Sequence, residues 1–154
     1  MADEISLYTG VITPSQSKIL FSTLLFEIIW HQPKINIFGR TSPIPRLTAW
    51  HGDAPYAYSG IRMAPASWTP SLNFLKQRAQ SITGKPYNSA LLNFYRDGQD
   101  SIAWHSDDEP ELGSNPSIAS ITLGSERKFE FRQKKNPKEK ISLSLPDGSL
   151  LFMA

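Results

Sequence analysis

The residues best suited to chemistry lie in the stretch NFYRDGQDSIAWHSDDE, which covers residues 93–109. His105 and Asp107 are two residues apart, as are Asn93 and Tyr95. If both pairs lie on adjacent strands joined by the RDGQD turn, all four polar side chains point to one face. Imidazole nitrogen and carboxylate oxygen are ligands of non-heme Fe(II). The alternative is an acidic surface turn that contains a histidine, because surface His and Asp are common.

Composition limits the other chemistries that are open to the chain. Its 154 residues include no cysteine, which excludes disulfides, thiolate metal ligands and a cysteine nucleophile. A net charge of +2 permits a nucleic-acid partner without requiring one. The N-terminal residues lack a secretory signal pattern, and the apolar segment ILFSTLLFEIIW is too short to span a bilayer. We therefore expect an intracellular protein without a membrane partner.

The periodicity of apolar residues predicts helices first and strands afterwards. Thr13 and Pro14 mark the start of a helix over residues 15–30, and a second helix starts at Thr69 and Pro70 and stops near Gly84. From residue 88 onward the period changes to two. Short runs such as ALLNFYR, SIAWHS, SIASITLG, KFEFRQ, ISLSLP and SLLFM are separated by turn residues. This pattern predicts an α+β fold in which helices pack on a β sandwich or barrel.

The ordered set of motifs resembles the AlkB-like Fe(II)/2-oxoglutarate-dependent dioxygenases, and among them the demethylases that repair alkylated DNA. Upstream of residues 93–109 the similarity includes IFGR, IPRLTAWHGD, YAYSG and ASWTPSL; downstream it includes SIASITLGSERKFEFR and LPDGSLLFM. It covers nearly the whole chain from about Leu7. The resemblance implies one oxygenase domain over residues 1–154. Residues 7–88 would form the nucleotide-recognition region with its supporting helices, and residues 89–154 a double-stranded β-helix (jelly-roll) core.

The resemblance also implies roles for individual residues. His105 and Asp107 would bind Fe(II), and Asn93 and Tyr95 would contact 2-oxoglutarate. Tyr58 would stack on the target base and Tyr56 would hydrogen-bond near it. The base pocket would thus be lined by Tyr56, Tyr58, Asp108 and Glu109. The residues in contact with nucleic acid would be Phe38 and Gly39 at a hairpin tip that wedges into the duplex, Arg46, His51, Lys134, Lys135 and Lys138.

Three of these roles have structural alternatives. Tyr56 and Tyr58 alternate with small residues and could form the packed face of an edge strand. Phe38 could be an ordinary core residue. The lysine-rich segment RKFEFRQKKNPKEK could be a solvated hairpin.

The activity implied by the resemblance is oxidative demethylation of alkylated bases in DNA. It would use Fe(II), 2-oxoglutarate and O2 and release formaldehyde and succinate, and the target base would have to leave the stack. The partner would be single- or double-stranded DNA, with RNA as a second candidate. We expect a monomer, located in the cytoplasm if the source is bacterial and in the nucleus if it is eukaryotic.

The family pattern continues with a second metal-binding histidine and a 2-oxoglutarate-binding arginine downstream of SLLFM. None of the residues after His105 is a histidine, and His51 lies far upstream. We therefore expect a fragment or truncated product, inactive as it stands. Its jelly roll would be incomplete, with SLLFM facing an open slot with unpaired strand edges and exposed apolar residues. The alternatives are a catalytically silent nucleic-acid-binding protein and an oxygenase that acts on RNA or protein.

Overall fold

The computed structural model describes residues 4–58 and 61–154, which divide into two compact units. The first unit comprises residues 4–26, 77–85 and 117–154, and the second comprises the remaining described residues. The prediction of one domain over residues 1–154 is not tested by this division and stays a prediction. Within the described residues, every helix is too short or too polar to cross a bilayer.

Helices and strands follow one another in an order that mixes both types throughout the chain. The elements are β1 (Ile5–Tyr8), α1 (Pro14–Glu27), β2 (Lys34–Ile37), β3 (Arg40–Pro43), β4 (Leu47–Gly52), β5 (Tyr56–Tyr58), β6 (Ile61–Met63), α2 (Pro70–Thr83), β7 (Ser89–Phe94), a 3-10 helix (Pro110–Leu112), β8 (Ile118–Ile121), β9 (Arg127–Arg132), β10 (Lys140–Leu145) and β11 (Leu150–Met153).

The predicted helix starts are confirmed by their capping bonds. The Thr13 hydroxyl accepts from the Gln16 N–H at 3.2 Å, and the Gln16 side chain accepts from the Thr13 N–H at 3.0 Å. Such a reciprocal pair satisfies two backbone donors at the helix start. The α1 helix ends at Glu27, three residues earlier than predicted, because His31 exchanges two backbone hydrogen bonds with Thr48 and the chain must extend towards it.

The capping residues of α2 also match the prediction. Its first turn is capped by Thr69, whose hydroxyl accepts from the Leu72 N–H at 3.2 Å. At the other end Gly84 adopts a φ of 67°, a left-handed conformation that glycine adopts without steric cost, and its N–H donates to Gln80.

The first unit contains a three-stranded sheet with β11 at its centre. Both neighbours, β1 and β8, pair with β11 in antiparallel register, so that Ile5 and Ile118 both lie opposite Met153. Leu150 and Leu151 are fully buried. The expectation that SLLFM has unpaired edges and exposed apolar residues is therefore wrong: both edges of this strand are paired within the unit, and its side chains form part of the core.

The second unit contains three antiparallel strand pairs. They are the pair β4–β7 and the hairpins β2–β3 and β5–β6. Trp30 packs against Phe94 with ring centroids 5.6 Å apart. Residues 101–109 contain neither helix nor strand, so the prediction of a strand at SIAWHS is wrong. The α+β class is confirmed, whereas the incomplete jelly roll stays a prediction because the described strands form one three-stranded sheet and four separate pairs.

Candidate metal and co-substrate site

Asn93 lies near the end of β7, opposite Thr48 of β4. Its side-chain oxygen Oδ1 accepts a hydrogen bond of 2.9 Å from Nε of Arg46, two residues before Thr48. Because the guanidinium is only a donor, the oxygen and not the nitrogen of the amide must face it. The amide N–H2 is therefore the end of the Asn93 side chain that does not face Arg46. Tyr95, one residue beyond β7, is half-buried.

His105 and Asp107 lie on the irregular segment of residues 101–109. The imidazole Nδ1 is 2.9 Å from the carbonyl oxygen of Ala103, which can only accept, so Nδ1 carries the proton. In the neutral ring the lone pair then resides on Nε2, the nitrogen that faces Asp107 at 3.6 Å from Oδ1. Both side chains are about one-third exposed, at 28% and 35%. The pair thus combines one oriented nitrogen ligand with one carboxylate.

The His105–Asp107 pair fits a divalent transition metal. Metal–nitrogen and metal–oxygen bonds of about 2.0 to 2.2 Å together exceed the 3.6 Å between the two atoms, so one ion can bind both. A backbone carbonyl that holds the other ring nitrogen is also the usual outer partner of a metal-bound histidine. Within residues 4–58 and 61–154 there is no cluster of three or more His, Cys, Asp or Glu side chains. The described site therefore supplies two protein ligands.

Two acidic residues follow the ligand pair, and their assignment to the base pocket stays a prediction. Asp108 is exposed. Glu109 precedes the 3-10 helix, and its Oε2 atom is closed off from solvent and has no hydrogen-bond partner among the described residues. A buried carboxylate oxygen without a donor is costly, because the desolvation of a charged group is uncompensated. A bound group with an N–H donor would remove that cost.

Sequence reasoning missed the interaction that closes the turn before this segment. Asp100 is buried, and its carboxylate accepts from the Arg96 backbone N–H at 2.9 Å, from Nε at 2.7 Å and from Nη2 at 3.0 Å. The hydrogen bond with Asp100 raises the pKa of the Arg96 guanidinium above its ordinary value. The available signal was an arginine and an aspartate four residues apart around DGQ, with the aspartate at the end of the turn.

Phe38 lies at the tip of the β2–β3 hairpin with its side chain fully exposed, so the alternative of a core residue is wrong. Ile37 pairs with Arg40, which leaves Phe38 and Gly39 as a two-residue turn with φ of 50° and 76°. Positive φ at both positions defines a type I′ turn, for which Asn-Gly is the preferred pair. A phenylalanine there is strained by about 1 to 2 kcal/mol, and it gains no burial in return.

Two predicted nucleic-acid contacts are buried instead. Arg46 is 6% and His51 is 7% exposed. Arg46 is bonded to Asn93, and Nδ1 of His51 lies 2.7 Å from the carbonyl oxygen of Ser67. These placements argue against contact with nucleic acid through either side chain. Their position in the sequence could have predicted this burial. Arg46 directly precedes the buried strand β4 and His51 lies in it, and a polar side chain in such a strand needs an internal partner.

Among the remaining predicted contacts, the structure describes the side chains of the lysines but not those of the tyrosines. Lys134, Lys135 and Lys138 are exposed in the connection between β9 and β10 of the first unit. The backbone at Tyr56 and Tyr58 forms β5, whereas the side chains of both tyrosines lie outside the described residues. Neither their assignment to the base pocket nor the edge-strand alternative is tested.

Comparison with protein families identifies the class to which the chain belongs. The family model of the 2OG-Fe(II) oxygenase superfamily matches residues 4–154, and the chain belongs to this family.

Within that class the chain is similar to AlkB-like dioxygenases. It is 42% identical over 158 residues to the rat (Rattus norvegicus) protein "Alpha-ketoglutarate-dependent dioxygenase alkB homolog 3", covering 97% of this chain and 54% of the relative. The Homo sapiens counterpart is 40% identical, with 97% and 55% covered. The Mus musculus "DNA oxidative demethylase ALKBH2" is 36% identical over 95% of this chain and 66% of the relative. The chain thus spans about half to two-thirds of the length of these curated relatives.

Proposed function

We propose that this chain carries the substrate-recognition and metal-ligand part of an oxidative demethylase of alkylated DNA. The observation that carries the proposal is the orientation of His105: its Nδ1 is committed to the Ala103 carbonyl, and its Nε2 lone pair faces the Asp107 carboxylate. This is the arrangement of a metal-bound histidine, whose other ring nitrogen is usually held by a carbonyl or a carboxylate. The names of the relatives support nucleic-acid demethylation as the reaction.

Different residues of the second unit would bind the metal, the co-substrate and the target base. His105 and Asp107 hold Fe(II), which supplies the activation of O2 that oxidation of a methyl group requires. The Asn93 amide N–H2, the end of the side chain that does not face Arg46, would donate to an oxygen of 2-oxoglutarate, and Tyr95 would contact the same co-substrate. The unsatisfied Glu109 carboxylate accepts from an N–H of the flipped base.

Nucleic acid would be engaged by the exposed side chains. Phe38 and Gly39 form the hairpin tip that enters the duplex where the base is extruded, and the exposed aromatic ring replaces the lost stacking. Lys134, Lys135 and Lys138 would contact phosphates. The strain at Phe38 supports this role, because a strained, unburied aromatic residue gives the free protein no stability.

Metal titration tests the site directly. Addition of Co²⁺ to the metal-free 154-residue chain should change its visible absorption, and His105→Ala should weaken the apparent affinity by at least about tenfold. His31→Ala is the matched control, since His31 is exposed and bonds to Thr48 only through its backbone. Equal binding by the His105→Ala variant and the parent chain would contradict the proposal.

A second candidate function is nucleic-acid binding without catalysis, favoured by the exposed Phe38 tip and by the two-ligand metal site. It predicts DNA binding that weakens with salt and does not change when metal is removed. The demethylase predicts formaldehyde and succinate from an N-methylated oligonucleotide when Fe(II), 2-oxoglutarate and O2 are present. Parallel assays with methylated DNA, methylated RNA and a methylated peptide would identify the substrate class.

A further inference from the structure

One buried carboxylate closes the turn that leads from β7 to the segment of the metal ligands. Asp100 receives three hydrogen bonds from Arg96, two from the guanidinium and one from the backbone. A forked arginine–carboxylate pair has a fixed planar geometry, which a single hydrogen bond lacks. Because the backbone N–H also takes part, the pair fixes the main chain at both ends of the turn.

A second bond ties the next residue to the strand pair. The Ser101 N–H donates to the carbonyl oxygen of Pro45 at 2.8 Å. Pro45 is adjacent to Arg46, whose side chain orients Asn93. The start of the ligand segment and the proposed co-substrate amide are therefore fixed to the same stretch of backbone.

These two contacts are important for the position of residues 101–109, because the segment has no ladder of backbone hydrogen bonds. The bond from His105 Nδ1 to Ala103 lies inside the segment, so it orients the ring relative to the segment alone. Contacts at the start of the segment are among those that fix its position relative to β4 and β7. Asp100, with 8% of its side chain exposed, provides the strongest of the described ones.

We propose that Asp100 is a positioning residue whose bonds to Arg96 hold residues 101–109 in place and thereby place His105 and Asp107 for metal binding. The second part rests on the metal site proposed above. A purely structural ion pair would stabilise the second unit as a whole, whereas a positioning pair acts mainly on the segment that follows it.

Hydrogen–deuterium exchange of the metal-free 154-residue chain distinguishes these roles. In Asp100→Asn, one carboxylate acceptor becomes an amide donor that faces the guanidinium, so exchange of residues 101–109 should rise about tenfold or more. Exchange in β4 and β7 should change far less. Asp97→Asn is the matched control, since Asp97 is exposed in the same turn and its carboxylate accepts from the Gln99 N–H at 2.8 Å.

Arg96→Lys is the second variant, in case Asp100→Asn does not fold. It keeps the charge and the backbone bond but loses the fork, and it should raise exchange in the same segment. Uniformly faster exchange across the second unit, or an unchanged segment in both variants, would overturn the proposal.

Metal titration completes the test and separates the two proposals. Co²⁺ affinity should fall about tenfold or more in Asp100→Asn and stay at the parent value in Asp97→Asn. If both variants bind Co²⁺ as the parent does, Asp100 does not position the ligands. If the parent chain itself binds no Co²⁺, the proposed function fails, and the exchange data still decide whether Asp100 positions the segment.

Discussion

Arg46 orients Asn93: the guanidinium Nε donates to the amide Oδ1 at 2.9 Å, and this fixes which end of the amide faces away from Arg46. The arginine is 6% exposed, and no carboxylate lies within salt-bridge distance of it among the described residues. A cation kept inside the protein without an acidic partner is costly. Its retention at this place is consistent with a role in holding Asn93.

We expect Arg46→Met to lower the free energy of unfolding by about 1 to 3 kcal/mol, because Asn93 Oδ1 loses its donor while part-buried. In an active enzyme the same change should raise KM for 2-oxoglutarate more than it lowers kcat. Urea denaturation and steady-state kinetics are the measurements. Arg40→Met is the control, since Arg40 is exposed in β3. Equal stability of the Arg46→Met variant and the parent would refute the positioning of Asn93.

Phe38→Asn should stabilise the β2–β3 hairpin by about 1 kcal/mol, because asparagine tolerates the positive φ of the type I′ turn better than phenylalanine. The same variant should lose activity on duplex substrates and keep activity on single strands. Thermal unfolding and paired assays on both substrates test the two effects separately. Unchanged duplex activity would show that Phe38 is not a wedge, even if the stability increases.

Gly52→Ala should destabilise the protein by about 3 kcal/mol or more. Gly52 has a φ of 131°, and a Cβ there would lie 2.5 Å from the carbonyl oxygen of Asn88, a backbone atom that cannot move aside cheaply. Gly98→Ala serves as the control because nothing lies within 4 Å of its added Cβ, and its effect should stay within about 1 kcal/mol. Equal effects of both substitutions in urea denaturation would contradict this geometry.

Glu130 should make stability depend on pH in the acid range. Its pKa is lowered first by the hydrogen bond from Lys128, whose Nζ lies 2.8 Å from Oε1, and then by that from Ser142. A lowered folded-state pKa contributes stability above the unfolded value of about 4.3, and this is lost as pH falls through the folded value.

The effect of Glu130 should be small, since the ion pair is on the surface. Urea denaturation between pH 7 and pH 3 should show a shallower acid loss of stability in Glu130→Gln than in the parent chain. Lys128→Met should reproduce most of that change, because Lys128 is the main cause of the shift. An identical acid profile in Glu130→Gln and the parent would contradict the assignment.

Helix ends could be predicted because their determinants are local. The Thr13 cap, the Thr69 cap and Gly84 act within a few residues, and all three are found as predicted. The end of α1 was predicted three residues too late, because it depends on the pairing of His31 with Thr48. That contact is distant in sequence and leaves no local signal.

The assignment of residues to the candidate site stays a prediction, and the predicted backbone conformation of residues 101–109 is wrong. Alternation in SIAWHS predicted a strand, yet the segment is irregular and begins with a local Arg96–Asp100 pair and a distant bond from Ser101 to Pro45. The burial of Arg46 and His51 was also missed, because charge in a sequence predicts exposure unless an internal partner is known. Asn93 is that partner for Arg46, and the two residues meet only through the β4–β7 register.

The central place of β11 has a consequence for biosynthesis. Since Ile5 pairs with Met153, β1 cannot join its sheet until the ribosome has made the strand that it needs. At about 5 to 20 residues per second, the N-terminal strand waits on the order of ten seconds with both edges unpaired. During that interval the backbone groups of β1 lack their strand partner, and we expect the nascent chain to need chaperone protection that the paired strand does not.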